Sequence, residues 1–175
     1  MTVLPKRKTP ARGLAVVAAL AFAFCAATAS ARVLRQPETG DPALEVEIPD
    51  DWIASKDKSA NLIVRSADSS AAFALNVLTN SRPLDVLARA VFAAQKISQV
   101  PDSRPGSIAG HAGLSYDWTV ATPGKSTVHM TLTLVQIDPT HVANATKVLA
   151  DISSAETRQI ANWIAQDLRI AAASH

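Results

Sequence analysis

The chain has 175 residues, a formal charge of +2 and a single cysteine, and its excess of positive charge comes from its start. Four of the 17 basic residues and none of the 15 acidic residues precede residue 32, so the rest of the chain carries 13 basic against 15 acidic residues and does not predict a nucleic-acid-binding surface. It also lacks cysteine, which excludes a disulfide, a thiolate nucleophile and a thiolate metal site there.

Residues 1–31 have the pattern of an export signal. A basic start precedes an uncharged, mostly apolar run, and Ala29 and Ala31 then supply the small-x-small site that signal peptidase cleaves. We predict cleavage after Ala31 and a periplasmic mature protein with no stable membrane span. Two alternatives stay open: an uncleaved anchor, because about 20 apolar residues span a bilayer, and a lipoprotein acylated on Cys25. Phe24 stands where lipidation requires a small residue.

The remaining chain is of a usual size for one domain. Residues 32–42 are polar, contain two prolines and show no periodicity, so we predict a flexible lead-in there. We assign residues 43–172 to a single domain with its own hydrophobic core.

The first part of this domain predicts three strands in an antiparallel meander. Alternating apolar residues mark strands at 44–48, 61–65 and 72–78, and Pro49 ends the first of them. We expect the ring of Trp52 to fold back on the sheet as an apolar plug.

A helical period follows. Asn80 or Ser81 is placed to cap a helix that holds Pro83 in its first turn, and residues 100–106, with two prolines, then predict a loop. The stripe that should pack on a sheet face consists of Leu84, Leu87, Ala88, Val91 and Gln95.

The clearest pattern is a pair of strands between residues 112 and 137, joined by a turn at Pro123 and Gly124. Period-two alternation places one apolar set on one side of each strand, which predicts a sheet with a buried face. These sets are Leu114, Tyr116, Trp118 and Val120 in the first strand, and Val128, Met130, Leu132 and Leu134 in the second.

The chain closes with a predicted strand at 141–149 and a second helix. Ser153 or Ser154 is placed to cap this helix, and Arg169 lies near its end, where a cation suits the helix dipole. Its predicted buried stripe consists of Ile160, Trp163, Ile164 and Leu168.

In this order the elements resemble the PsbP-like fold, and within it the bacterial DcrB-like envelope proteins. The resemblance implies an α+β fold in which amphipathic helices pack on an antiparallel β-sheet as an α/β/α sandwich. It also implies a non-catalytic accessory or assembly role, with no catalytic motif to carry over. The segments that carry it are Ile48-Pro49-Asp50-Asp51-Trp52, the helix from Pro83, Gly110-His111-Ala112-Gly113 and residues 160–170.

Candidate catalytic and metal residues do not assemble in the predicted strands. His111, Ser115 and Asp117 share a side of one strand, but at about 3.4 Å per residue the first two lie roughly 13 Å apart, whereas a base must reach its nucleophile within about 3 Å. We therefore interpret them as a solvated polar face. His129 and His141 fall roughly 27 Å apart in a hairpin, too far to share a zinc ion.

The aromatic residues give the one candidate binding surface. Trp52, Tyr116 and Trp118 could line a ligand or partner surface, but each also stands at a core-facing position, and packing is the preferred interpretation. We therefore expect no enzyme, no cofactor and no metal, but a periplasmic accessory or adaptor protein that binds another envelope protein. The alternatives are a small-molecule or lipid carrier with its pocket between the sheet and the Pro83 helix, and more remotely a hydrolase. A homodimer also stays open.

Overall fold

The computed structural model describes residues 31–121 and 126–171. Within them the chain forms two antiparallel sheets and two helices. The elements are β1 (Ala31–Gln36), β2 (Ala43–Pro49), β3 (Ile53–Lys56), β4 (Leu62–Arg65), β5 (Ala71–Thr79), α1 (Leu84–Ala94), β6 (Ser103–Ile108), β7 (His111–Val120), β8 (Val128–Asp138), β9 (His141–Ala150), α2 (Ala155–Asp167) and β10 (Arg169–Ala171).

Seven strands form the large sheet in the order β3-β4-β5-β9-β8-β7-β6. The predicted strand pair is confirmed as β7 and β8, whose register pairs Leu114 with Leu134 and Trp118 with Met130. Since paired residues point to the same face, the two apolar sets combine on one side of the sheet. The predicted turn at 123–124 lies outside the described residues.

Different elements cover the two faces of the large sheet. Helix α1 packs over β7 and β8, on what we call the α1 face. Helix α2 and the small sheet pack over β5 and β9, on the α2 face. The α1 face buries Ala88, Phe92, Tyr116, Leu132, Leu134 and Val142. The core of the α2 face includes Ile48, Trp52, Phe73, Leu75, Val135 and Ile164. The predicted α+β layering is therefore confirmed, with the outer layer on the α2 face built from α2 and a second sheet.

The small sheet corrects two predictions about the start of the domain. Strand β1 occupies part of the predicted flexible lead-in and pairs with β2, in the order β1-β2-β10. Strand β2 therefore does not join β4 and β5 in a meander, and β3 takes the place beside β4. The pattern of β1 was too weak to predict a strand, since Leu34 is the one apolar residue of β1 that packs on the core.

Helix α1 differs from the prediction at its start and in its buried face. Pro83 occupies the capping position and no side chain caps the helix. The side-chain amide of Asn80 donates to the carbonyl of Arg82, 3.0 Å away. The two buried residues of the helix are Ala88 and Phe92. Phe92, which lies one turn after Ala88, was not in the predicted stripe.

Helix α2 begins as predicted, because the hydroxyl of Ser154 accepts a hydrogen bond from the backbone N–H of Thr157 at 3.0 Å. Its stripe is only partly correct. Ile164 and Leu168 are buried, but Trp163 is 38% exposed, because it lies outside the side that packs on the sheets.

Two further strands were not predicted. Strand β6 begins inside the predicted loop at 100–106 and pairs with β7 as the last strand of the large sheet. Strand β10 begins at Arg169, next to the end of α2, and pairs with β2. Arg169 therefore lies in a strand, where its guanidinium contacts the carboxylate of Asp167 at 2.9 Å.

Candidate functional site

The structure separates the three residues that had suggested a hydrolase. Ser115 shares a hydrogen bond of 2.9 Å with Thr133, and Asp117 binds Arg104. His111 stands at the start of β7, paired with Ile108. Ser115 is buried, at 3% exposure, which corrects the prediction that it lies on a solvated face.

The two histidines of β8 and β9 lie beside separate carboxylates. His129 contacts Asp151 at 2.6 Å, and His141 contacts Asp138 at 2.7 Å. In the turn between the strands, Asp138 also accepts a hydrogen bond from the backbone N–H of Thr140, the main cause of a pKa lowered to about 2. Within residues 31–121 and 126–171, no group of three or more His, Cys, Asp or Glu side chains is placed to hold a metal ion.

The candidate aromatic surface is divided between the two cores. Trp52 is 2% exposed and lies with its ring centre 6.4 Å from that of Phe73, whereas Tyr116 is buried on the α1 face. These two residues form no common surface, because the large sheet separates them. Trp118 is half-buried, and its ring lies edge-on to Phe92 at 5.1 Å. Trp52 and Tyr116 each line a surface cleft, and Trp118 borders an open part of the large sheet.

The open part beside Trp118 is a row of side chains across six strands of the α1 face, which begins at Trp118, at the border of the region that α1 covers. Successive register pairs connect Trp118 to Met130, Met130 to Val148, Val148 to Ala72, Ala72 to Arg65 and Arg65 to Ile53. Arg65 and Ile53 are exposed, and the other four residues of the row are apolar and partly accessible. We call these six residues the apolar strip.

Next to the strip, a cleft of about 320 Å³ lies between α1 and the β3–β4 turn. Asn61 donates to the carboxylate of Asp57 at 2.7 Å, and Asn76 donates to the side-chain oxygen of Asn61 at 2.5 Å. The bond from the Asn61 side chain is the largest cause of the lowered pKa of Asp57. The pocket predicted between the sheet and this helix therefore has a hydrogen-bonded polar side at Asp57, Asn61 and Asn76 and an apolar side that includes Ala74, Val91 and Ala94.

A second cleft of about 320 Å³ lies on the α2 face, between α2 and the edge strand β6. Its floor carries the polar residues of β7, β8 and β9, which alternate with the apolar sets buried on the α1 face. At its mouth the Nε of Arg104 donates to Asp117 at 2.6 Å, and the hydroxyl of Thr131 donates to the other carboxylate oxygen at 2.7 Å. The bond from Arg104 is the main reason why the pKa of Asp117 is lowered.

The sequence contained part of the signal for this cleft. Alternation placed Ser115 and Asp117 on one side of β7, and Thr131 and Thr133 on one side of β8. Arg104 was missed because it fell in the predicted loop.

No protein-family model and no curated protein matches the sequence. Solved structures do share its fold. The cyanobacterial PsbP protein CyanoP from Synechocystis superposes with a TM-score of 0.57 at 13% identity, over 82% of this chain and 94% of that one. The fold is PsbP-like.

Two other structures support the same PsbP-like arrangement. LpqN, involved in cell envelope biogenesis of Mycobacterium tuberculosis, gives a TM-score of 0.52 at 15% identity, over 80% of this chain and 91% of that one. A protein of Bacteroides thetaiotaomicron gives a TM-score of 0.50 at 12% identity. The match covers 75% of this chain but only 46% of that protein. Among the described residues, no helix is both long enough and apolar enough to cross a membrane.

Proposed function

We propose that the protein is a non-catalytic accessory protein of the cell envelope, exported to the periplasm, where it binds another envelope protein through the apolar strip. The strip is the observation that carries this proposal. Contiguous accessible apolar surface on a folded protein marks an interaction site more often than scattered apolar residues do. The predicted leader at residues 1–31 supports export. The likeness to LpqN, which is involved in cell envelope biogenesis, supports a role in the cell envelope.

The edges of the large sheet favour binding through a face. Strand β3 has only four residues, and β6 contains Pro105, which lacks the N–H that an added strand would need. Both edges are therefore poor templates for strand addition, whereas the strip offers side-chain surface between them.

The residues of the strip indicate the chemistry of the partner surface. Trp118 and Met130 are residue types enriched in protein interfaces, and methionine adapts to irregular shapes. Arg65 is exposed and forms no ion pair within the described residues. A partner that presents apolar side chains around one carboxylate would complement this arrangement.

The proposal is tested by capture with the full-length protein, tagged at its C-terminus and processed in its own host. The wild-type protein should retain an envelope partner at physiological salt, and Met130→Asp should lose it. The matched control is Val33→Asp, because Val33 is apolar and 58% exposed but lies in the small sheet. Arg65→Glu should weaken the capture, most clearly at low salt.

Several outcomes would contradict the proposal. It fails if no partner is retained, or if Met130→Asp and Val33→Asp behave alike. It also fails if analytical ultracentrifugation shows a homodimer that Met130→Asp dissociates, because the strip would then bind a second copy. Export is tested separately by sequencing the N-terminus of the purified protein, which should begin at Arg32.

A further inference from the structure

The cleft on the α2 face carries positive groups whose hydrogen-bonding capacity is largely unused. Arg104 employs only its Nε toward Asp117, and its two Nη groups donate to no atom in the described parts of the chain. The Nζ of Lys147 donates one hydrogen bond within the described residues, of 3.3 Å, to the side-chain oxygen of Asn162. With Asp117 as the counter-charge, the two cations leave a net charge of +1 at the mouth of the cleft.

The floor between these cations consists of hydroxyl groups. Register pairs place Ser115 beside Thr133 and Thr131 beside Lys147. Each hydroxyl can donate one hydrogen bond and rotates to suit its acceptor. Thr131 already donates to Asp117, but Thr133 and Ser115 share a bond that either can donate. One further donor is therefore available to a negatively charged group on the floor.

The inner wall of the same cleft is apolar. Phe73 and Ala145 line it from the sheet, Ile108 lines it from β6, Ala165 lines it from α2, and Leu168 lines it just after α2. Of these five, Ala165 is half-buried and the other four are buried. One end of the cleft therefore favours negative charge, and the other end favours a hydrocarbon group. Guanidinium groups bind carboxylates well because their donors match the two oxygens.

We propose that this cleft binds a small organic monoanion, with its carboxylate between Arg104 and Lys147 and its apolar body against the inner wall at Ala165. A singly charged ligand neutralises the net charge of +1. The site lies on the face of the large sheet opposite the apolar strip, so it is independent of partner binding there.

Hexanoate is the probe, followed by NMR titration of the full-length protein processed in its own host. It should shift the backbone amides of Thr131 and Thr133 saturably. Acetate, which lacks the apolar body, and hexanamide, which lacks the charge, should each bind at least about tenfold more weakly. Added salt should weaken the binding of hexanoate.

Variants with opposite expected effects test the electrostatic part. Lys147→Gln removes a cation and should weaken the binding of hexanoate about tenfold, whereas Asp117→Asn removes the competing carboxylate and should strengthen it severalfold. Arg89→Gln is the matched control, because Arg89 is also exposed and pairs with a carboxylate, that of Asp85, but belongs to α1. It should leave the affinity unchanged.

The proposal is overturned if hexanoate gives no saturable shifts, or if Lys147→Gln and Arg89→Gln bind it equally well. Binding of acetate as tightly as hexanoate would show an adventitious anion site only and would also overturn it. Tighter binding of inorganic phosphate than of hexanoate would refute the apolar part of the site. Met130→Asp should leave the binding of hexanoate intact, which separates this result from a failure of partner binding.

Discussion

Phe92 is the main anchor of α1, and its removal should both destabilise the protein and release the helix. The ring is fully buried and lies edge-on to Tyr116 at 5.5 Å and to Trp118 at 5.1 Å. Truncation of a buried phenylalanine to alanine typically costs about 3–5 kcal/mol. Domains of ordinary stability unfold at about 5–15 kcal/mol, so Phe92→Ala should remove a large part of the free energy of unfolding.

The same change should also have a local effect. Ala88 is the only other buried residue of α1, and a helix of 11 residues is marginal in water without tertiary packing, since isolated helices need about 12–15 residues or more. In Phe92→Ala, the amide hydrogens of α1 should therefore exchange faster than those of β8 and β9. Urea denaturation followed by circular dichroism measures the global loss, and hydrogen exchange with mass spectrometry measures the local one.

Trp163→Ala is the matched control, because it truncates an aromatic residue of the other helix that is 38% exposed. It should cost under about 1 kcal/mol, as surface substitutions usually do. The reasoning is refuted if Phe92→Ala costs less than Trp163→Ala, or if α1 keeps its wild-type exchange rates in Phe92→Ala.

Two further predictions concern β7 and the turn between β8 and β9. A Cβ at Gly113 would overlap the carbonyl oxygen of Leu134 and lie 2.9 Å from a backbone Cα of β8, so Gly113→Ala should cost at least about 1–3 kcal/mol in urea denaturation, and an unchanged midpoint would contradict it. The pKa of Asp138 is lowered from 3.8 to about 2 in the folded protein. The bonds of its carboxylate to Thr140 and His141 therefore stabilise the folded protein fully at pH values above 3.8, and this stabilisation is lost as the pH falls toward 2. NMR titration should find this carboxyl midpoint near 2, and Asp138→Asn should flatten the pH dependence of stability between about 4 and 2; a midpoint near 3.8 would contradict the assignment.

The local sequence pattern was sufficient to predict a strand where one face of that strand is buried and the other is polar. Strands β7, β8 and β9 were predicted nearly to their ends, because alternation over about ten residues leaves only one side of the strand that can face the core. Strands β1 and β6 were missed because they are edge strands. An edge strand has a hydrogen-bonded neighbour along only one of its edges. The core-facing side of β1 and of β6 also holds few apolar residues.

The helices illustrate a different limit of the sequence. The pattern of α2 correctly placed its start at Ser153 or Ser154, but it carried the helix to Arg169, beyond its end at Asp167. It also did not distinguish Trp163 from Ile164 as the buried residue. An apolar stripe fixes a range of directions around the helix axis, and the position of the sheet decides which part of that range is covered. Phe92 is buried and Trp163 is accessible for this reason.

The sequence alone determined the alternating strands of the large sheet and the two amphipathic helices. Both candidate sites depend on strand order. Ile53 and Trp118 share a strip, and Arg104 and Lys147 share a cleft, because backbone hydrogen bonds place strands distant in sequence side by side. Alternation shows which residues of one strand share a face, but only the tertiary structure decides which strands are neighbours, since many pairings would bury the same apolar residues.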